Sequence, residues 1–133
     1  MYNRSNLRTE NASNIVETLK KKTGVYKIYF NKPINRICNT DKTSLMYIGS
    51  TGTKNGLLKR IRDFFDSATN GTTAHSGGNF YHISLKNHIG EATEVLKFEY
   101  EIKNSDAESK KGEKEELDKY LTLRERRWKT TKN

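Results

Sequence analysis

The chain has 133 residues, of which only 32% are apolar, so it supports one domain with a thin core and excludes two. Its 25 lysines and arginines against 16 acids give a net charge of +9, which favours a polyanionic partner, most commonly nucleic acid. The single cysteine, Cys38, excludes an intrachain disulfide and a cysteine zinc site.

Nothing in the composition indicates a membrane protein. The longest apolar run is far too short to span a bilayer, and the N-terminus has no hydrophobic secretory core. We therefore expect a soluble, intracellular (cytoplasmic) protein with no membrane partner.

The N-terminal segment, residues 1–23, combines polar residues with one short helix. Its first ten residues are polar, and we expect them to fray. Ser13 can cap a helix over about 14–22. The apolar side of that helix is formed by Ile15, Val16 and Leu19.

Two runs of β-forming residues, at about 25–30 and 45–50, predict two strands. Residues 31–44 between them contain the only proline and predict a long connection or a decorated hairpin loop. Each strand joins a glycine to a tyrosine, in Gly24-Val25-Tyr26 and in Tyr47-Ile48-Gly49. Side by side, such strands would present two phenol hydroxyls close together, and the glycines would admit a ligand or another backbone.

Two helices are predicted after the second strand. The first, over about 56–68, is basic and carries apolar residues at helical spacing. The second, over about 79–88, follows a loop that contains His75, and we expect Phe80 and Ile83 to face the core. The apolar stripe of the first helix consists of Leu57, Ile61, Phe64 and Phe65.

The C-terminal part predicts one strand and one long helix. Residues 95–102 alternate apolar and charged side chains, which is typical of a half-exposed strand. Residues 104–106 offer caps for a helix that runs to about Trp128. Together the elements predict an α/β (α+β) fold with a small three-stranded mixed or antiparallel sheet flanked by helices. The apolar stripe of the last helix consists of Leu117, Tyr120, Leu121, Arg124 and Trp128.

Two tyrosines and an arginine form the most specific pattern in the chain. A single strand tyrosine usually serves packing, but Tyr26 and Tyr47 both lie in glycine-containing motifs ahead of an arginine-bearing helix. Arg60 flanks the apolar stripe of that helix, and its guanidinium can grip a phosphate with two hydrogen bonds. Periodicity alone does not separate Arg60 from Arg62. Phenols and a guanidinium suit a phosphodiester, and the ordered motifs resemble the GIY-YIG nuclease family.

The resemblance covers residues 24–133 and implies that they form a nuclease domain with a three-stranded sheet between helices. It implies that Tyr26 activates the attacking water, that Tyr47 supports it, and that Arg60 binds the scissile phosphate. A free phenol has a pKa of about 10, so such a base needs help from nearby positive charge. We also expect Gly49, Lys59 and Arg62 to contact the substrate.

His75 is a further candidate for the site. It lies in His75-Ser76-Gly77-Gly78, just before a helix start whose free amides would attract an anion. The same four residues resemble a patch found in one branch of the family. A histidine there can donate to a phosphate oxygen or shuttle a proton. The remaining histidines, His82 and His88, are interpreted as structural.

The resemblance also implies a glutamate that opens a late helix and holds a divalent metal, Mg²⁺ or Mn²⁺. Glu113 fits this pattern, because Leu117 lies four residues later and Tyr120 seven residues later. Magnesium prefers oxygen ligands and keeps several waters, so one carboxylate and the substrate phosphate are sufficient. Two other glutamates remain open as the metal ligand, Glu116 and Glu125.

These patterns together predict a metal-dependent endonuclease that hydrolyses DNA phosphodiester bonds and is a monomer or a homodimer. Asn133 matches the asparagine that closes the family motif and would help to fix the site, although the proline that precedes it in the family is absent. One rival is a non-catalytic nucleic-acid-binding module on the same scaffold. Another is a ribosome-associated basic protein, which explains the charge but leaves the ordered motifs as coincidence. The sequence leaves open the preference for DNA or RNA.

Overall fold

The computed structural model describes residues 2–7, 14–31, 34–36, 39–41, 44–52 and 54–132. Its central element is a three-stranded antiparallel sheet with the strand order β4–β1–β5. The strands are β1 (Gly24–Phe30), β4 (Leu45–Thr51) and β5 (Leu96–Ile102). Helices flank the sheet, so the predicted fold class is confirmed.

The register of β1 and β4 places the two motif tyrosines on one face of the sheet. Tyr26 pairs with Gly49, and Ile28 pairs with Tyr47. The two tyrosines therefore occupy diagonal positions on neighbouring strands, where long side chains still touch. The pairing that the glycine–tyrosine motifs predict is confirmed.

The connection between β1 and β4 contains a small hairpin of its own. Its two strands, β2 (Ile34–Arg36) and β3 (Asn39–Asp41), pair antiparallel. Of the two alternatives for this stretch, the decorated hairpin is the one that the described residues form.

The main core lies on the tyrosine face, between the sheet and α2 (Gly56–Asn70), with α1 (Asn14–Leu19) beside it. The chain enters α2 through Gly56, at φ +77°, and leaves it through Gly71, at φ +76°. Both are left-handed conformations that glycine adopts without strain. The stripe predicted for α2 is buried as expected, and the proposed cap Ser13 lies outside the described residues. Fully buried residues of this core include Leu19, Ile28, Leu57, Ile61, Phe64, Phe65 and Phe98.

The opposite face of the sheet is covered by α6 (Asp106–Lys132). Its first turn is held by Ser105, whose hydroxyl accepts the Glu108 amide at 3.2 Å. Small residues form the contact line, since Ser109 and Gly112 are buried and a side chain at Gly112 would press on Val25. Along the described residues, no helix combines the length and apolar composition needed to cross a bilayer.

Leu117, the first residue of the predicted apolar stripe of this helix, is 38% exposed and so does not form its buried contact with the sheet. The sequence pattern weighed only large apolar residues, whereas α6 approaches the sheet through Ser109 and Gly112. Tyr120 does pack against the small apolar cluster on this face. The side chains of Leu121, Arg124 and Trp128 lie outside the described residues.

The helical stretch after α2 differs from the prediction. It begins at Ser76, as α3 (Ser76–Phe80), continues as a π-helix (Tyr81–Leu85) and ends as α4 (Lys86–Ile89). Phe80 and Ile83 are 56% and 71% exposed, so the expectation that they face the core is wrong. The side that packs on α2 runs through Gly78, which lies against the backbone of Phe64, and through the fully buried Tyr81. A glycine carries no apolar side chain, so the pattern of large apolar residues did not indicate this side. The short helix α5 (Ala92–Val95) then leads into β5.

The expectation that the N-terminus frays is wrong for residues 2–7. Tyr2 exchanges two backbone hydrogen bonds with Phe98, at 2.9 and 2.7 Å, and its ring stacks on Tyr100. A 3₁₀ turn (Arg4–Leu7) follows, and Leu7 is buried in the core. The segment covers the outer edge of β5 and pairs backbone groups that would otherwise be open to another strand.

We predict that Phe98→Ala lowers the free energy of unfolding by about 3–5 kcal/mol, because the ring is fully buried between the sheet and α2. Phe80→Ala is the matched control and should change it by no more than about 0.5 kcal/mol, since its ring is largely in solvent. Urea unfolding of both variants measures the difference. Equal losses in the two variants would contradict the packing described here.

Candidate active site

Tyr26 lies at the centre of the site and is almost fully buried, with 1% of its surface exposed. Its hydroxyl is 2.7 Å from Nε2 of His75. The ring lies directly over Gly49, where a Cβ atom would be 2.5 Å from both Cζ and the hydroxyl oxygen of Tyr26. Gly49, predicted to contact the substrate, therefore makes room for the tyrosine, and its contact with a substrate stays a prediction.

The hydrogen bonds of His75 determine which of its ring nitrogens carries the proton. His75 is the N-cap of α3, and its Nδ1 accepts the amides of Gly77 and Gly78 at 3.0 and 3.2 Å. A nitrogen that accepts two hydrogen bonds carries no proton, so in the neutral ring the proton is on Nε2. His75 therefore donates its Nε2–H to the oxygen of Tyr26.

This geometry bears on two points, namely whether the amides at the start of α3 are free and whether His75 is charged. The amides at the start of α3 are not free for an anion, as the sequence suggested, because Gly77 and Gly78 both donate to His75. Burial lowers the pKa of His75 to about 4, and the charge of Arg60 acts in the same direction while Asp63 opposes it. The ring is therefore neutral at pH 7.

Tyr47 adds the second phenol. Its ring centroid is 5.0 Å from that of His75 and 6.1 Å from that of Tyr26, and Phe64 closes the cluster. Gly77 lies flat against the ring, since a Cβ there would be 2.7 Å from two of its carbons. Burial raises the pKa of both phenols, and the neighbouring Tyr47 raises that of Tyr26 further.

Arg60 faces this cluster from α2. Its Nη1 donates to the carbonyl of Ala74 at 3.0 Å, immediately before His75 in the chain. Burial raises the pKa of Tyr26 and of Tyr47, and the positive charge of Arg60 opposes this rise. Burial lowers the pKa of His75, and Arg60 acts in the same direction.

The structure distinguishes Arg60 from Arg62, which helical periodicity alone left as alternatives. Arg62 lies about 200° around α2 from Arg60, and its guanidinium donates to the carbonyl of Leu7. It ties the N-terminal segment to the helix and is not brought to the tyrosines. Lys59 is largely exposed and pairs with Asp63 at 2.9 Å. Phosphate contacts by Lys59 and Arg62 stay predictions.

Glu113 reaches the site from α6. Its Oε2 accepts the hydroxyl proton of Ser50 at 2.9 Å, and its charge raises the pKa of both Tyr26 and Tyr47. For both phenols, however, burial is the largest cause of a raised pKa, so both are protonated at neutral pH. Ser50 was missed in the sequence, where its only signal is a hydroxyl directly after the Tyr47-Ile48-Gly49 motif.

The rival glutamate has other partners. Glu116 forms ion pairs with Lys27 at 2.8 Å and with Lys119 at 3.6 Å. The hydrogen bond with Lys27 is the largest cause of its lowered pKa. The side chain of Glu125 and the whole of Asn133 lie outside the described residues. Of the two candidate metal ligands whose side chains the structure describes, Glu113 is the one that faces the tyrosines. Its binding of a metal stays a prediction.

The model of the GIY-YIG catalytic domain matches residues 22–115, more than two thirds of the chain. The chain belongs to the GIY-YIG family. It therefore has a nuclease-type fold, and the matched range includes all five predicted catalytic residues. No curated protein and no solved structure matches the chain.

The oxygen atoms of this GIY-YIG site fit a divalent ion that is held mainly by water and substrate. Among the described residues, no three acidic, histidine or cysteine side chains form a metal-binding group. Glu113 offers one carboxylate, which the Ser50 hydroxyl holds by one of its two oxygens. Mg²⁺ keeps several waters and binds well to a single carboxylate and a phosphate, and Mn²⁺ also accepts oxygen ligands.

The buried neutral His75 predicts a specific dependence of stability on pH. Unfolded His75 takes up a proton below about pH 6.5, but the folded ring does so only near pH 4. The unfolded state therefore binds more protons in this window, and the free energy of unfolding falls as the pH drops from 6.5 to 4. A shift of this size corresponds to at most about 3 kcal/mol.

We expect His75→Asn, which retains a capping side chain, to lose this component. The difference in unfolding free energy between wild type and His75→Asn should therefore shrink as the pH falls from 7 to 4, as measured by urea unfolding. His88→Asn is the control, because His88 is exposed and should keep the wild-type profile. Parallel profiles of wild type and His75→Asn would show that His75 does not titrate as described.

Proposed function

We propose that the protein is a metal-dependent endonuclease that hydrolyses DNA phosphodiester bonds. One observation carries this proposal: the rings of Tyr26 and Tyr47 both contact His75, and Arg60 binds the carbonyl of Ala74 directly before it. Glu113 joins this cluster through Ser50, which follows the Tyr47-Ile48-Gly49 motif on the same strand. A cation, a carboxylate and two phenols in this arrangement suit a phosphodiester and its metal ion. Membership in the GIY-YIG family and the net charge of +9 support the same function.

Arg60 binds the scissile phosphate in this proposal. A guanidinium has five N–H donors, and Arg60 uses one of them on the carbonyl of Ala74. That bond fixes the side chain, and the remaining donors are available for phosphoryl oxygens. In a partly buried position such charge-assisted bonds stabilise the negative charge that grows in the transition state.

Tyr26 removes the proton from the attacking water. Its own proton first passes to Tyr47, the less buried of the two phenols, which releases its own proton to solvent. The Nε2–H of His75 then stabilises the phenolate oxygen of Tyr26. The phenolate takes a proton from water, the hydroxide oxygen bonds to phosphorus, and the bond from phosphorus to the 3′ oxygen breaks.

Glu113 is the residue that would hold the metal ion. Ser50 binds one of its oxygens and so orients the carboxylate towards the tyrosines. When bound, Mg²⁺ supplies positive charge that stabilises the departing 3′ oxygen and favours the phenolate.

We expect Arg60→Ala and Glu113→Gln each to lower the rate of plasmid nicking in Mg²⁺ by about 10²–10³-fold, because each removes charge stabilisation from the transition state. Glu116→Gln is the matched control for Glu113→Gln, as it makes the same change one turn further along α6. Since Glu116 pairs with lysines outside the site, it should retain activity within about threefold of wild type.

Three other outcomes have different meanings. DNA binding without cutting, in Mg²⁺ and in Mn²⁺, would favour the non-catalytic binding module. Cutting that survives both Arg60→Ala and Glu113→Gln would show that the site lies elsewhere. Equal losses in Glu113→Gln and Glu116→Gln would mean that the carboxylates act through stability, which thermal unfolding of both variants would reveal.

A further inference from the structure

Two exposed apolar side chains continue the surface of the site along the helix after His75. Gly77 packs on the ring of Tyr47, Phe80 follows three residues later, and Ile83 three residues after that. Gly77 and Phe80 are neighbours one turn apart on the surface of α3, and Ile83 follows in the π-helix. Phe80 is 56% exposed and Ile83 is 71% exposed. We call these two side chains the outer ridge.

The exposure of the outer ridge is imposed by the packing of the opposite side of the helix. A side chain at Gly78 would clash with the carbonyl of Phe64, so α3 lies directly on α2. Tyr81 is fully buried, and its hydroxyl donates to the carbonyl of Gly90 at 2.7 Å. These contacts prevent the helix from rotating to bury Phe80 and Ile83.

The outer ridge has little negative charge around it, which admits an anionic partner. No aspartate or glutamate occurs between Asp66 and Glu91, and Glu91 is paired with Lys86 at 3.6 Å. A DNA backbone can therefore approach this surface without repulsion from carboxylates of the same segment. A second copy of the chain is the weaker alternative, because two side chains offer far less than the roughly 800 Å² per partner of a stable interface.

We infer that Phe80 and Ile83 contact the bases and sugars of the nucleotides beside the scissile phosphate. This inference rests on the proposed function: Tyr47 packs on Gly77 of α3 and Arg60 binds Ala74 just before α3, so nucleotides that flank a phosphate at Arg60 would lie beside this helix. Apolar side chains of this kind pack into the minor groove or between base steps in other DNA-binding proteins. The outer ridge then supplies affinity that does not depend on ionic contacts.

The test measures binding of a duplex oligonucleotide by protein that carries Glu113→Gln, so that cutting does not interfere. Adding Phe80→Ala and Ile83→Ala should weaken binding by about tenfold or more, as expected for loss of two buried apolar contacts. The slope of log K against log salt should stay unchanged, because no phosphate contact is lost. Lys59→Ala is the ionic comparison and should reduce that slope by about one.

Ile102→Ala is the matched control for the apolar change, since Ile102 is 40% exposed at the end of β5 and lies outside the α3 segment. It should leave the affinity unchanged. If protein with Phe80→Ala and Ile83→Ala binds DNA as tightly as the Glu113→Gln protein from which it was made, the inference is overturned while the proposed function stands. A change from dimer to monomer in sedimentation, with DNA affinity unchanged, also overturns it. A parent protein that binds no DNA overturns both proposals.

Discussion

The hydrogen bond between His75 and Tyr26 is the constraint on which the rest of the site depends. Both residues are buried, so each polar atom must find a partner inside the protein. His75 meets this demand with both nitrogens, because Nδ1 caps α3 and Nε2 donates to Tyr26. The start of the helix and the state of the phenol are thereby coupled. A substitution that removes the imidazole takes this partner from the buried hydroxyl of Tyr26, and one without a capping side chain also leaves two amides unpaired.

The helix α2 carries this arrangement into the core of the fold. Its Ser67 hydroxyl accepts the backbone amide of His75 at 2.9 Å, and Arg60 binds the carbonyl of the preceding residue, Ala74. Phe64, on the same helix, packs edge-on against the imidazole. The loop before α3 is therefore fastened at successive backbone positions. The apolar stripe that holds α2 against the sheet also sets the distance between the arginine and the phenols.

Sequence patterns predicted the features that follow from local chemistry. The strands, α2 and the closeness of Tyr26 and Tyr47 were predictable, because β-formers, helical spacing and strand register act over short distances. The choice of Arg60 over Arg62 came from the family resemblance and not from periodicity. The outward side of Phe80 was not predictable, because α3 packs on α2 through Gly78, which has no apolar side chain to indicate the buried side. Leu117 was misassigned since the small residues of α6 make its closest contact with the sheet. Ser50 was missed because a lone strand serine carries no signal until its partner on α6 is known.

The environments of Glu113 and Glu116 show how one helix separates a candidate metal ligand from a structural carboxylate. Glu116 lies between Lys27 and Lys119, which neutralise it and lower its pKa. A cation gains little from a carboxylate that two lysines already bind. Glu113, three residues earlier on α6, accepts only a neutral hydroxyl from Ser50 among the hydrogen bonds described, and so keeps its negative charge for an ion. The charge of Glu113 also raises the pKa of both tyrosines. A cation bound to Glu113 would cancel this effect and so favour the phenolate form of Tyr26, although burial and the neighbouring Tyr47 would still oppose it. Metal binding and water activation would thus be linked through a single carboxylate.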